Sequence, residues 1–218
     1  MFKFTGLKGT VRLDPQSETI FDDGNWRHHR WQTIFQDMQR VLGRENFKVI
    51  SIEEKVSIDD LYMSGHLDIT VWIKGYGRIV IDIKGINDRG FTRILTEDAP
   101  VAKHVEQLMA YCEARGVYKG LLFYENKNDN RWRCYLIKWD QGIWEKVQSW
   151  ADEVITALEN EKLPNRDVEC QSGTFLYDRC PYAKWCYGGK DHDEIKEATY
   201  RNFPGVEVAW RRGHEVEE

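Results

Sequence analysis

Between Leu67 and Ile83 the chain alternates apolar and other side chains on both sides of a short glycine-bearing turn, and few folds accommodate that pattern. Odd positions carry Leu67, Ile69, Val71, Ile73, Ile79, Ile81 and Ile83, while even positions carry Asp68, Thr70, Trp72, Val80, Asp82 and Lys84. A period of two is the signature of β-strands, whose successive side chains point to opposite faces. Directly opposed residues of an antiparallel pair share a face, so uniting both odd sets on one core face requires a turn of odd length, Lys74-Gly75-Tyr76. That register sets Asp68 opposite Asp82. A two-residue Gly75-Tyr76 turn would set Asp68 opposite Ile83 and mix charge into the core, so it is rejected.

The predicted hairpin holds two carboxylates about 5 Å apart at the backbone, with the Lys84 ammonium about 7 Å further along the same face. Like charges this close repel. A divalent cation that prefers hard oxygen ligands, Mg²⁺ or Mn²⁺, relieves the repulsion, and Lys84 can then offset charge developing on a phosphorane or orient the attacking water. The same residues also suit the solvent-facing polar side of an edge hairpin with a simple Lys–Asp pair.

Around the hairpin, Asp22-Asp23-Gly24-Asn25 reads as a turn before a helix over Trp26–Arg44. His28, Trp31, Phe35, Met38 and Leu42 recur along that helix at spacings of three and four, with Ile34 and Val41 widening the stripe. His28 lies on the buried side, as a core residue or a ligand; His29 falls with Thr33, Gln36, Asp37 and Arg40. A strand is expected over Phe47–Ile58. A long connection rich in Gly, Asp and Thr leads to Pro100, which suits the first turn of a helix ending near Arg115 before Gly116. The buried stripe of that helix is Val101, Val105, Leu108, Met109 and Cys112. On its border Gln107 and Tyr111 form an i, i+4 pair, which suits packing at a core margin or reaching over a site. Strands over Gly120–Glu125 and Arg131–Trp139 follow, joined by a turn at Asn126–Asn130. An amphipathic helix over Ile143–Lys162 comes next, its apolar side Trp144, Val147, Trp150, Val154, Ile155 and Leu158. The organisation expected is a core over residues 1–165 and a cysteine-bearing segment with a polar tail over 166–218, without internal repeats.

A helix bearing a histidine, then Gly65-x-x-Asp68, then Asp82-x-Lys84, then Gln107-x-x-x-Tyr111 resembles, in that order, the RecB-like branch of the PD-(D/E)XK nuclease superfamily, which includes CRISPR-adaptation and phage exonucleases. The resemblance implies an α/β, restriction-endonuclease-like core, a central mixed β-sheet flanked by helices, and a metal-dependent phosphodiesterase. It implies Asp68 and Asp82 as ligands of Mg²⁺ or Mn²⁺, joined by the backbone carbonyl of Ile83 and by His28. It further implies that Lys84 activates or positions water, and that Gln107 with Tyr111 holds the nucleic-acid backbone or the surroundings of the lysine. Arg89, Arg93, Lys103 and His104 are further candidates for phosphate contacts, with tryptophans as stacking surfaces; each is equally read as solvated surface.

Cys170, Cys180-Pro181-Tyr182 and Cys186 resemble the cysteine-rich end of many such nucleases, where four cysteines hold an iron-sulfur cluster. Here Tyr177 stands in the place of one cysteine and none precedes Cys112, so a complete cluster needs Cys112, Cys134 or a non-cysteine ligand. Zinc held by the three late cysteines and His192 is another reading. Reduced thiols packed as small apolar groups are a third.

Composition bounds the functional classes. The 218 residues carry a formal net charge of −5, which argues against coating nucleic acid by bulk positive charge but leaves room for a local basic groove. No apolar run approaches a membrane span, and a soluble, cytoplasmic protein is expected, in the host cytoplasm if phage-encoded. The leading expectation is a metal-dependent DNA exonuclease of recombination, repair or end processing, acting on single-stranded or frayed ends. A structure-specific endonuclease of the same fold and a nucleic-acid-binding scaffold subunit are the alternatives.

Overall fold

The computed structural model describes residues 15–160. Pro15–Asp152 form one compact unit; of the second, Glu153–Asn160 are described, the last turns of the final helix. The element order is α1 (Pro15–Leu42), β1 (Phe47–Ile58), β2 (Met63–Ile73), β3 (Gly77–Ile86), α2 (Asp88–Glu97), α3 (Ala102–Arg115), β4 (Lys119–Asn126), β5 (Trp132–Lys138) and α4 (Gln141–Glu159), with a short 3₁₀ turn at Asp59–Leu61. The strands form one mixed sheet in sequence order, antiparallel except where β3 and β4 run parallel. This is the expected α/β architecture, a central mixed sheet flanked by helices. The cysteine segment and the boundary at residue 165 lie outside the described residues. No helix among those described is long and apolar enough to cross a membrane.

The β2–β3 register is the predicted one. Ile69 faces Ile81, Val71 faces Ile79, and Ile73 faces Gly77 across Lys74-Gly75-Tyr76, where Gly75 takes the left-handed φ of 81°. The edge-hairpin reading fails because β2 and β3 lie inside the sheet and a core packs against each of its faces. Under α1, Ile69, Val71, Ile79, Ile81, Ile83 and Phe123 pack with Phe35 and Phe47. On the opposite face Val80, Leu122 and Tyr124 pack with Phe91 and Ile94 of α2 and Leu108, Met109 and Cys112 of α3. Each fully buried aliphatic side chain contributes about 1.5–3 kcal/mol. Gly120 lets α3 lie close, since a Cβ there would sit 2.5 Å from the Leu108 side chain.

Several expectations give way. Strict alternation breaks at Asp68: Leu67 packs with the α3-side core while Ile69 and Val71 pack on the α1 side. The β1 pairing carries matching irregularities, a register shift at Ile50 and a left-handed Glu53 with φ 49°. The supposed turn at Asp22–Asn25 is helical, for α1 begins at Pro15 and Asp23 is tied to Arg27 one turn on at 2.9 Å. Ile34, Val41 and Leu42 are exposed, and the polar Gln32 takes a buried place between His28 and Phe35. Pro100 precedes α3, whose N-cap is Val101; its end at Gly116, φ 61°, is as expected. The connection before Pro100 contains α2, capped by Asn87 accepting from the Gly90 amide and anchored by Phe91 and Ile94. Trp150 is exposed and lies under the Lys146 ammonium.

Candidate functional site

β2 and β3 stay paired as far as Ile69 and Ile81 and then part. Past that point β2 continues against β1, and β3 continues against β4 alone. At this fork the Asp68 carboxylate takes the place of a backbone acceptor, with Oδ2 receiving the Ile83 amide at 2.6 Å. One oxygen is thereby anchored, and Oδ1 meets Nδ1 of His28 on α1 at 3.2 Å. The Asp68 carboxylate raises the His28 pKa, against the opposing effect of burial.

Asp82, the next residue of β3, is 2% exposed. Its carboxyl is pushed up to about 6, chiefly by burial, with repulsion from Asp68 adding to it while Lys84 and His28 oppose it. The Lys84 ammonium folds back to 2.9 Å from Asp82 Oδ2 and donates to Oδ1 at 3.1 Å. Both oxygens of Asp82 are thus within reach of the one ammonium. Lys84 also donates to Gln107 Oε1 at 2.9 Å, and Gln107 Nε2 donates to the Tyr111 hydroxyl at 3.0 Å. The i, i+4 pair on α3 thus forms a chain that ends on the lysine. Gly65 is explained by the same chain, because a Cβ there would meet the Tyr111 ring at 3.0 Å.

His28, Asp68, Asp82, Lys84, Gln107 and Tyr111 therefore converge. Of Ile83 the visible contribution is the amide on Asp68. The sequence reading missed Glu53. It stands on β1 between Ile52 and Glu54, which pair with Ile69 and Leu67, so it faces Asp68. Its carboxylate accepts from the buried Gln32 amide, and one ligand atom each of His28, Glu53 and Asp68 lie within 4.8 Å of one another. An acidic pair next to the hairpin, Glu53-Glu54, was the available signal, but alternation alone assigns neither residue to the fork.

The donor set fits a hard divalent cation. His28, Glu53 and Asp68 bring an imidazole nitrogen and two carboxylates to one place, with Asp82 near enough for its charge and that of Asp68 to repel, and oxygen with imidazole nitrogen suits Mg²⁺ or Mn²⁺. Among the proposed phosphate contacts, Arg93 is paired with Glu97 at 2.9 Å. His104 is pushed down to about 4 by burial and by Lys84. Its Nδ1 lies 2.9 Å from the Tyr124 hydroxyl, which accepts from the Val101 amide and so donates to the neutral ring. Cys112 is part of the core and burial pushes its thiol up to about 12; Cys134 is half-buried and pushed up to about 11. Cys170, Cys180 and Cys186 lie outside the described residues.

No protein-family model and no curated protein matches the sequence. Solved structures with a similar fold include SSO0001, at 17% identity over 77% of this chain and 70% of that one, TM-score 0.46. Another is the alkaline exonuclease LHK-Exo from Laribacter hongkongensis in complex with dAMP, at 14% identity over 62% and 68%, TM-score 0.45. A phage-related exonuclease from Haemophilus somnus 129PT matches at 14% identity over 62% and 74%, TM-score 0.39.

Proposed function

We propose that this chain is a divalent-cation-dependent deoxyribonuclease, an exonuclease acting on single-stranded or frayed ends in recombination, repair or end processing. The observation that carries the reading is the meeting of a histidine, three carboxylates and a lysine where β2 and β3 part, supplied by four different elements. DNA is the substrate implied by the motif order His28, Gly65-x-x-Asp68, Asp82-x-Lys84 and Gln107-x-x-x-Tyr111.

His28, Glu53, Asp68 and Asp82, with the Ile83 carbonyl, would hold Mg²⁺ or Mn²⁺, which when bound polarises the phosphodiester and makes water a better nucleophile. The protein's own groups do the rest. The Ile83 amide fixes Asp68 so that Oδ1 faces the centre. Asp82 and Gln107 hold the Lys84 ammonium by two of its hydrogens, leaving the third for a non-bridging phosphate oxygen or the attacking water. Positive charge fixed there before reaction stabilises the pentacoordinate transition state without reorganisation. As the water oxygen bonds to phosphorus in line, the bond to the 3′ oxygen breaks. Tyr111, linked through Gln107, keeps the lysine aimed.

The test is incubation of end-labelled linear DNA and closed circular DNA with Mg²⁺ or Mn²⁺. Linear DNA is expected to be degraded by the wild type and to survive Asp82→Ala and Lys84→Ala. Efficient cutting of closed circles would make the enzyme an endonuclease, and binding without cation-dependent cleavage would overturn the catalytic reading in favour of a scaffold subunit.

A further inference from the structure

Charge on this protein is unevenly paired. Ten arginines fall among the described residues, and seven of them make ion pairs with carboxylates. Arg44, Arg78 and Arg89 do not, and two of those three line the same groove. Arg44, Glu45, Lys48, Ile50, Trp72 and Arg78 bound an open groove of about 390 Å³. Lys48 likewise makes no ion pair among the described residues. In an acidic chain, three unpaired cations beside one carboxylate form a local reversal of sign.

The groove continues inward. Ile50 and Arg78 are shared with a smaller cavity of about 130 Å³ that Thr70, Arg115 and Val117 complete. Two buried polar atoms on residues of this cavity, Thr70 Oγ1 and Arg115 Nε, have no hydrogen-bond partner. Buried polar groups are normally satisfied, and the exceptions call for a reason. Ile50 is the residue at the β1 register shift, so the irregularity in the strand lies where the two cavities meet. Lys48 pairs with Trp72 and Trp72 with Arg78, which sets the indole between two cations across three strands.

The position of this track gives it a direction. Trp72 lies four residues along β2 from Asp68, and Arg78 four residues along β3 from Asp82, which is about 13 Å at strand spacing. Thr70 lies midway. The structure assigns this groove as a second binding site, for the phosphodiester backbone of a single nucleic-acid strand that leads toward the fork, with Trp72 as a stacking surface for one base. A cationic track interleaved with an aromatic ring suits a single strand, whose bases offer free faces, better than a duplex, whose faces are stacked. The choice of ligand rests on the nuclease reading above; the groove's charge does not.

The experiment measures binding apart from cleavage. A fluorescein-labelled single-stranded DNA of about 20 nucleotides is titrated with the full chain carrying Asp82→Ala, without divalent cation, over a range of NaCl concentrations. Adding Lys48→Ala and Arg78→Ala is expected to weaken binding about tenfold and to flatten the slope of log affinity against log salt by about 1.4, two phosphate contacts at about 0.7 each. Trp72→Leu is expected to weaken binding with the slope unchanged, and Arg40→Ala, on the exposed side of α1, to change neither. Thermal melting of each variant separates loss of binding from loss of fold. Unchanged affinity and slope in a folded double variant would overturn the assignment. So would displacement of the DNA by polyglutamate as effective as by unlabelled DNA, or an equal loss on a blunt hairpin duplex. If groove-dependent binding holds but the wild type cleaves nothing with Mg²⁺ or Mn²⁺, the nuclease reading alone fails; if it cleaves while the groove variants bind normally, the groove alone fails.

Discussion

Asp82 on β3 and Glu125 on β4 are both almost fully buried carboxylates on adjacent parallel strands, and their surroundings are opposite in design. Glu125 receives Arg27 Nη1 at 2.5 Å, together with Arg30 and the Trp31 indole, so both of its oxygens are occupied and two guanidiniums serve one carboxylate. At the fork the ratio is reversed: Glu53, Asp68 and Asp82 share Lys84 and His28. Glu125 is a closed cluster that ties α1 to β4. The fork is an open one, and its unmet negative charge is what a cation would answer. The ratio of cations to carboxylates, more than residue type or burial, is what distinguishes the two clusters.

Exchanging the two carboxylates' fates gives the largest expected effects. Asp82→Ala or Lys84→Ala should lower cation-dependent cleavage by about a thousandfold or more, the scale of removing a preorganised electrostatic partner. Asp82→Asn should at the same time leave the cation-free protein at least as stable as the wild type, because it removes an undercompensated buried charge. Differential scanning calorimetry in EDTA reads this; a lower melting temperature for Asp82→Asn would show that the fork is as closed as the Glu125 cluster.

Glu125→Ala should behave in the opposite way. Removing one partner of a buried ion pair leaves the others uncompensated, and with Arg30 partly exposed the loss should be about 3 kcal/mol in urea unfolding. An unchanged denaturation midpoint would break the comparison from the structural side.

How legible these clusters were in the sequence follows from how local their signals are. The hairpin register was readable because alternation, an odd turn and a cost for burying charge all act within Leu67–Ile83. His28 was readable because helical periodicity separates it from His29. Glu53 was not, since its orientation depends on a left-handed backbone that no pattern in β1 announces. The Glu125 clamp was missed for a similar reason: its partners lie about a hundred residues upstream on α1, and only tertiary packing brings them together. α2 was hidden because its Gly and Thr residues outvote the Asn87 cap and the two apolar anchors, Phe91 and Ile94, that burial rewards. The exposed Ile34 and Val41 show the converse, apolar residues that periodicity assigns to a core which α1 does not offer them.

Between the two clusters a third way of burying a titratable group gives a smaller effect. His104 stays neutral against Tyr124, its pKa held down to about 4 by burial and Lys84. The unfolded chain takes up that proton near pH 6.5 and the folded chain only near 4, so this contribution is fully present above about pH 6.5 and is lost as pH falls toward 4. The loss should be about 2 kcal/mol, less than the full shift implies because the ring is partly exposed. His104→Gln keeps an acceptor for the tyrosine hydroxyl and should flatten the acidic limb of the stability–pH curve; an unaltered limb would place the titrating group elsewhere.

The smallest effect tests whether the fork's openness is selected or incidental. Glu53 holds φ 49°, a region that costs a non-glycine residue about 1–2 kcal/mol, and the buried Gln32 amide secures its carboxylate. A chain that merely needed the bend would do better with glycine. Glu53→Gly should therefore stabilise the cation-free protein by about 1 kcal/mol while weakening Mn²⁺ binding about tenfold, the lower end of what loss of a supporting group costs a metal site. Glu53→Gln, which keeps the strain and removes the charge, should weaken Mn²⁺ binding similarly with no gain in stability. Isothermal titration of Mn²⁺ beside thermal melting reads both quantities. If Glu53→Gly gains stability and binds Mn²⁺ as well as the wild type, the carboxylate is not a ligand, and the strained backbone serves only to let β1 follow β2 past the fork.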